Sequence, residues 1–543
     1  MNHGLYDVAR QLNRLIDPAQ CVETARLIWQ NDRLFSFDAF DRTAYIVMDE
    51  MSRACLNDIQ SLPLAADGRT RHGDWIIPQA WDARFAWLDL LTPKRVRLAN
   101  YPDTPCGLVM YSAPTPPEGV TARIVRWDSP EDTGDVAGAM LFTSLPPSNA
   151  EVIKAAQIGG AVGILSDYMP LYPGVRDSRE DVYDVRRWDN SFCVPRNETG
   201  LFAFSLTPRD GDMLRAMLAS GESVTAHAVV DTRLNDGAAR TISARAVQST
   251  YGDSEEILGF GHQYEPGAHD NASGCAALLM AAKALRALAD DGVTFRRNVR
   301  IGMGFECAGS MGYVLSNPDR LAQTKAGLVV DMVGTQGIDN AVLTVWHNPK
   351  AARTDADMAI LDHAKIAQEV SGIPFPIREK AFAIGTDNIL ADPSLGMPTI
   401  ALIAEPALSY HSSLDFIERL EPNILARNAL LVALHLYYLA NADDAALTPC
   451  IPDAASFTAI EDARVPVRTQ TGCLTRDLPG WSLAWNTRLH IPLFWMDGSR
   501  SWGEILERSR TELGVDDVNA EEYFTEMNRF IDALVLEGIV RWR

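Results

Sequence analysis

Between residues 256 and 405 the sequence alternates short apolar segments with glycine-containing loops and helical segments, and this alternation limits the possible folds more than any other feature. The apolar segments are EILGFGH, NVRIGMGFE, KAGLVVDMVG and MPTIALIAE, and the first precedes the long helical segment NASGCAALLMAAKALRALADD. Strands that alternate with helices pack as a largely parallel sheet with helices on both faces. We therefore predict an α/β fold here, with a ligand site at the carboxyl ends of the strands.

Side chains that bind metals or transfer protons follow these strands. They are His262 at the end of the first, Asp270 before the next helix, Glu306 and Asp331 at the ends of the second and third, and His411 after the fourth. Imidazole and carboxylate ligands together suit zinc, and also manganese or cobalt. Carboxylates can bridge two ions about 3.5–4 Å apart. Each residue alone also fits an ordinary structural role, so the predicted centre of one or two ions depends on the whole set.

Several short segments carry a resemblance to a known family. GHQYEPGAHDNASG, FECAGS, VVDMVG, GTDN and YHSSLD occur in this order. Together they resemble the motifs of the zinc aminopeptidase and glutamate-carboxypeptidase family, the co-catalytic-zinc exopeptidases. The chain is most similar to a cytosolic branch of aminopeptidase-like proteins with an inserted protease-associated (PA) domain and a C-terminal winged helix. The resemblance implies the zinc exopeptidase type of α/β fold.

The resemblance also implies a role for each candidate residue. His262 and Asp331 are expected to hold one ion, His411 the other, and Asp270 to bridge both. Tyr410 is expected either to donate to the developing oxyanion or to pack beside His411. Asp387 is expected either to bind the substrate's amino group or to hold a loop.

The sequence departs from the family pattern at two positions. Where the family usually has two adjacent glutamates, a general base and a metal ligand, this chain has Glu306 and Cys307. Glu306 is therefore either the base or a ligand, and Cys307 either supplies a thiolate ligand or is a buried thiol without a ligand role. Tyr264 stands where the family usually has an aspartate that orients the histidine. We therefore expect weaker metal binding at His262, and a single-ion enzyme is an alternative.

Changes in composition divide the chain into four parts. Residues 1–105 are predicted to be the N-terminal part of the peptidase domain, 106–235 a PA-like inserted α/β domain, and 236–447 the metal-binding peptidase domain. Residues 464–543 are predicted to form a winged-helix-like domain that folds separately and is dispensable for the chemistry. The boundaries are the proline- and glycine-rich residues 102–119 and the linker-like segment CIPDAASFTAIEDARVP.

Charge and cysteine usage narrow the expected partners and location. The formal net charge of −22 repels nucleic acid and anionic membranes. The eight cysteines are scattered, the N-terminal segment lacks the apolar core of a signal peptide, and no apolar run approaches a membrane span. We expect a cytoplasmic protein with reduced thiols. A homo-oligomer or a protein partner bound through the C-terminal domain is also consistent with the sequence.

These observations predict a zinc-dependent aminopeptidase that hydrolyses small peptides or amino-acyl amides through a metal-activated water. A carboxypeptidase, an amidase or a deacylase would use the same side chains. Because the pair of glutamates is broken at Cys307, a non-catalytic metal-binding or regulatory scaffold is a further alternative.

Overall fold

The computed structural model describes residues 2–130, 134–189, 196, 198–374, 376–451 and 462–543. The α-helices in chain order are α1 (Asn2–Leu15), α2 (Pro18–Asp32), α3 (Phe37–Arg53), α4 (Ala150–Gly159), α5 (Pro208–Ala219), α6 (Ala272–Asp290), α7 (Ala308–Ser316), α8 (Pro318–Gln323), α9 (Asp355–Ser371), α10 (Pro422–Asn441), α11 (Asp444–Leu447), α12 (Thr487–Phe494), α13 (Trp502–Glu512) and α14 (Ala520–Leu536). The predicted linker falls largely on residues 452–461, which lie outside the described residues.

The strands lie between these helices. In chain order they are β1 (Asn57–Ala66), β2 (Arg71–His72), β3 (Trp75–Ile76), β4 (Ala80–Thr92), β5 (Val96–Tyr101), β6 (Val120–Arg126), β7 (Met140–Thr143), β8 (Gly163–Ser166), β9 (Phe202–Ser205), β10 (Thr225–Asn235), β11 (Gly237–Val247), β12 (Glu256–Gln263), β13 (Asn298–Phe305), β14 (Thr324–Asp331), β15 (Val342–Trp346), β16 (Ile377–Lys380), β17 (Thr399–Glu405), β18 (Pro466–Arg468), β19 (Asp477–Leu478), β20 (Trp481–Ser482) and β21 (Val540–Trp542).

An eight-stranded sheet in the order β1-β11-β13-β12-β14-β17-β15-β16 carries the predicted strands. The four strands predicted from the apolar segments are β12, β13, β14 and β17, and they are adjacent and parallel. The predicted parallel core is therefore confirmed. Antiparallel pairing adds β11 and β1 on one side and β15 on the other, and the sequence pattern did not indicate these strands.

Helices cover one face of this sheet and a mixture of elements covers the other. On β12, Ile257 belongs to the core that contains α6 and α10, whereas Leu258 and Phe260 belong to the core on the opposite face. Gly259 allows close helix packing, because a Cβ atom there would lie 2.8 Å from Leu278 of α6. Contrary to expectation, α6 is long and apolar enough to span a membrane. However, 78% of its apolar stretch is buried inside the protein, as in a core helix of a globular domain.

A second sheet has seven strands in the order β5-β4-β10-β6-β7-β8-β9. Its strands β6 to β9 are parallel, and α4 connects β7 to β8 as predicted. The sheet also includes β4 and β5, which precede the predicted boundary at residue 106, because β4 pairs with β10 along its whole length. The second unit is therefore larger than the predicted insertion.

Residues 462–543 form a third unit with α12, α13, α14 and the paired strands β18 and β21. Buried ion pairs join this unit to the rest of the chain: Arg468 binds Asp392 at 2.9 Å, and Arg476 binds Asp74. Both aspartates are almost completely buried. Removing one partner of a buried ion pair costs about 3–5 kcal/mol. These contacts argue against the expectation that the C-terminal unit is dispensable.

Candidate metal centre

Four predicted ligands meet at the carboxyl edge of the central sheet. His262 lies near the end of β12, Asp331 ends β14, Asp270 precedes α6, and His411 lies in the loop after β17. His262, Asp270 and Asp331 are each less than 5% exposed, and the His411 side chain is 23% exposed. The expected convergence is therefore present in the structure.

Asp270 lies between the two histidines. Its Oδ1 atom is 3.5 Å from His262 Nε2, and its Oδ2 atom is 3.3 Å from His411 Nε2. Asp331 Oδ1 is 3.9 Å from His262 Nε2. Because each oxygen of Asp270 faces a different imidazole, its carboxylate is placed to bridge two ions.

Glu265 belongs to the same group, although the sequence analysis missed it. Its Oε2 atom is 3.9 Å from His262 Nε2. Ligand atoms of His262, Glu265 and Asp270 all lie within 4.8 Å of one another. Glu265 lies in a loop, where no strand or helix periodicity predicts the direction of a side chain. The only available signal was an acid three residues after a predicted ligand.

Three buried polar atoms of this group have no hydrogen-bond partner among the described residues. They are His262 Nε2, Glu265 Oε2 and Asp331 Oδ1. A buried polar atom without a partner costs about 1–3 kcal/mol. Three such atoms around one point, on imidazole and carboxylate groups, fit a divalent ion such as zinc.

The pKa values at the site also indicate a need for positive charge. Burial raises the pKa of Glu306 to about 7. Burial and repulsion from Asp270 raise the pKa values of Glu265 and Asp331 well above the usual carboxyl range. The pKa of Asp270 is lowered despite its burial, because the imidazoles of His262 and His411 lie against its two oxygens and favour the charged form. Four carboxylates beside two imidazoles therefore favour binding of a cation.

Asp387 lies beneath the site instead of in the pocket, so the prediction that it binds substrate is corrected. The residue is completely buried. Its Oδ2 atom is 3.2 Å from His262 Nδ1, and its Oδ1 atom accepts hydrogen bonds from Cys307 N and Ser310 Oγ. A carboxylate at Nδ1 orients the imidazole and leaves Nε2 free to bind metal. Asp387 thus orients His262. The sequence analysis expected this support to be missing, because Tyr264 replaces the aspartate that usually provides it.

Tyr264 and Cys307 pack in the apolar core. The Tyr264 ring lies 4.6 Å from the ring centres of both Phe35 and Phe37. Cys307 directly precedes α7 and has a left-handed φ of 54°, and burial raises the pKa of its thiol well above the usual value. Cys307 belongs neither to the metal-binding group nor to the pocket wall. The structure therefore fits the buried thiol, and the predicted thiolate ligand at Cys307 has no geometric support.

Two polar side chains hold the GAHDNASG loop in place. Asp415 accepts hydrogen bonds from the backbone N–H groups of His269 at 2.6 Å and Asp270 at 3.0 Å. Gly267 gives Asp415 room, because a Cβ atom there would lie 2.2 Å from the carboxylate. Asn271 caps α6 by accepting a hydrogen bond from its first turn. These contacts explain why the loop needs glycine and asparagine at these positions.

The second unit holds the loop that carries His411. Arg176 is fully buried and donates hydrogen bonds to the carbonyl groups of Leu408 and Tyr410 at 2.5 and 3.0 Å. The backbone N–H of Trp188 donates to the His411 carbonyl at 3.1 Å. The indole of Trp188 also lies 4.1 Å from the His411 ring, centre to centre. Residues far from the central sheet therefore position this imidazole.

A pocket of about 430 Å³ opens beside the metal-binding group. Five carboxylates line it, those of Glu265, Asp270, Glu306, Asp331 and Glu405. Apolar and aromatic residues also line it, namely Tyr172, Met332, Trp346, Ile403, Pro406, Ala407, Tyr410 and Trp485. Both predicted catalytic residues, Glu306 and Tyr410, line the pocket. No lysine or arginine lines it within the part of the chain that the structure describes.

A protein-family model matches part of this chain, and several solved structures share its fold. Residues 249–436 match the model of peptidase family M28. No curated protein sequence matches the chain. The fold is similar to that of the zinc aminopeptidase BSAP from Bacillus subtilis, with 17% identity, 80% of this chain and 98% of that chain covered, and a TM-score of 0.55.

Two further solved structures share the fold. A peptidase M28 precursor from Shewanella amazonensis has 16% identity, covers 83% of this chain and 100% of its own, and gives a TM-score of 0.57. A putative peptidase from Clostridium acetobutylicum has 16% identity, covers 97% of this chain and 98% of its own, and gives a TM-score of 0.52. Residues 249–436 of this chain therefore resemble peptidase family M28, the chain shares the fold of these solved peptidases, and both findings support a metal-dependent peptidase.

Proposed function

We propose that this chain is a zinc-dependent aminopeptidase that releases the N-terminal residue of small peptides or amino-acyl amides. The proposal rests mainly on the charge of the pocket. Five carboxylates line the pocket, and its described lining contains no lysine or arginine. Bound ions would neutralise the carboxylates of Glu265, Asp270 and Asp331. The carboxylates of Glu306 and Glu405 remain to attract the α-ammonium group of a substrate, and the described lining offers no basic side chain to an α-carboxylate. The pocket is therefore suited to the amino end of a peptide.

Two ions would be held around Asp270. His262, Asp331 and one oxygen of Asp270 would hold the first, with Glu265 in reach of the same point. His411 and the other oxygen of Asp270 would contribute to the second. Bound zinc supplies Lewis acidity and lowers the pKa of water to about 7.

Glu306 is suited to act as the general base. It lines the pocket, and its pKa of about 7 lies where a carboxylate can both accept and release a proton at neutral pH. It would take the proton of the attacking water and deliver it to the leaving amine. Burial raises the pKa of Tyr410 well above the usual value, so its hydroxyl keeps the proton that it would donate to the oxyanion.

The test compares L-leucine p-nitroanilide with its N-acetylated form on the zinc-loaded chain. The free amine should be hydrolysed and the acetylated substrate should be much slower, because acetylation removes the ammonium charge. Glu306→Gln should retain zinc and lower kcat by about 10²-fold or more.

Other outcomes would select a different function. Release of acetate from the acetylated substrate, without release of p-nitroaniline, would indicate a deacylase. Release of residues from the carboxyl end of a peptide would indicate a carboxypeptidase. Zinc binding without turnover of any of these substrates would indicate a binding scaffold.

A further inference from the structure

One wall residue of the pocket comes from the C-terminal unit. Trp485 lies between β20 and α12, yet it lines the pocket together with residues of the central sheet. Its side chain is 49% exposed. The indole therefore presents apolar surface to the pocket instead of packing fully within its own unit.

The position of Trp485 is fixed by its surroundings. Its ring packs edge-on against Trp75, with ring centres 5.4 Å apart at an angle of 78°. The next residue, Asn486, caps α12 by accepting a hydrogen bond from Leu489 N. Thr487 Oγ1 accepts a hydrogen bond at 2.9 Å from Ile384 N, which ties α12 to the pocket wall. The contact with Trp75 and the anchored start of α12 give the indole a defined position in the pocket wall.

Trp346 provides a second indole on the pocket wall. Its Nε1 atom donates to Glu405 Oε1 at 2.8 Å, and the ammonium of Lys380 lies 3.7 Å from its ring centre. Gly385 leaves space for this ring, because a Cβ atom there would lie 2.7 Å from it. The polar atom of Trp346 is thus satisfied, and its ring adds apolar surface beside Met332.

We propose that Trp485 determines specificity by forming a wall of the subsite for the side chain of the substrate's N-terminal residue. Through this residue the C-terminal unit selects bulky apolar or aromatic side chains. The proposal rests on the aminopeptidase function proposed above. Aromatic side chains pack favourably against indole rings, and the pocket volume accommodates one. The carboxylates of Glu306 and Glu405 in the same pocket disfavour acidic side chains.

The experiment measures binding, so it does not depend on turnover. Isothermal titration calorimetry of the zinc-loaded full chain would compare L-phenylalanine hydroxamate with glycine hydroxamate. The wild-type protein should bind the phenylalanine compound more tightly by about 10- to 100-fold, as expected for burial of a large apolar side chain. Trp485→Ala should remove most of this preference and leave the affinity for glycine hydroxamate and the zinc content unchanged. Trp485→Phe should restore part of the preference.

Leu536→Ala is the matched control, because Leu536 is an exposed apolar residue of the same unit outside the pocket wall. It should keep the wild-type ratio of the two affinities. The proposed role of Trp485 would be overturned if Trp485→Ala kept the wild-type ratio of the two hydroxamate affinities, or if the wild-type protein showed no preference. Neither result would contradict the proposed aminopeptidase function. If neither hydroxamate binds the zinc-loaded chain, the proposed aminopeptidase function fails as well.

Discussion

Replacing Asp387 with asparagine should weaken zinc binding through the histidine that it supports. Asp387 Oδ1 accepts hydrogen bonds from Cys307 N and Ser310 Oγ, so the asparagine oxygen should keep that position and its NH₂ group should face His262 Nδ1. The NH₂ group donates to Nδ1, which places the imidazole proton on Nε2, the atom that faces Asp270 and Asp331. A protonated Nε2 cannot bind metal.

The expected loss of zinc affinity can be taken from the general effect of removing a residue that orients a metal-binding histidine. Removing the partner that orients a metal-binding histidine typically lowers affinity by about 10- to 100-fold, or about 1.4–2.7 kcal/mol. Competition with a chromogenic zinc chelator measures this change.

Ser310→Ala is the control, because it removes a 2.6 Å hydrogen bond to the other oxygen of Asp387. It should lower the free energy of unfolding by about 1 kcal/mol and leave zinc affinity near the wild-type value. A folded Asp387→Asn variant with wild-type zinc affinity would refute the proposed role of Asp387.

Three further predictions test other parts of the structure. Glu265→Gln should reduce the zinc that remains after dialysis against a chelator, whereas Cys307→Ser should not; equal zinc content in both variants would remove Glu265 from the ligand set. Acidification from pH 6.5 towards 4 should lower the free energy of unfolding, measured with urea. The reason is that burial lowers the pKa of His363 from 6.5 to about 4, so the unfolded chain takes up a proton that the folded chain does not. This loss should approach about 3 kcal/mol at pH 4, and His363→Gln should lose less stability than the wild type over this range. A chain truncated after Leu447 should have a lower Tm and little turnover, because the buried Asp392 loses Arg468 and Asp74 loses Arg476; full turnover would contradict the proposed role of the C-terminal unit.

The parts of the site that follow regular elements could be predicted from the sequence. Parallel strands end at one edge of a sheet, so placing His262 and Asp331 at strand ends was enough to bring them together. The same periodicity predicted the central strands and the long buried helix α6. Asp270 and His411 lie in loops, but their places directly before α6 and after β17 put them in the same set, and the family resemblance then gave each an expected role.

The contacts that other residues of the site make could not be predicted, because distant segments of the chain determine their positions. Glu265 points to the metal-binding group from a loop. Asp387 reaches His262 from a short helix far along the chain. Trp485 reaches the pocket only because the C-terminal unit docks on the rest of the chain. The antiparallel pairing that joins β4 to the second sheet likewise depends on a strand more than a hundred residues later.

The anchoring of the His411 loop by Arg176 and Trp188 has a consequence for exchange kinetics. Proteins open locally in cooperative segments, and each segment has its own free energy of opening. Because residues of the second unit hold the His411 loop, opening of residues 168–189 should loosen one metal-binding imidazole without unfolding the central sheet. We therefore expect the opening of this segment to influence the rate at which a bound ion dissociates. Amide hydrogens of residues 168–189 that are protected in the folded chain should therefore exchange with solvent more slowly when zinc is bound.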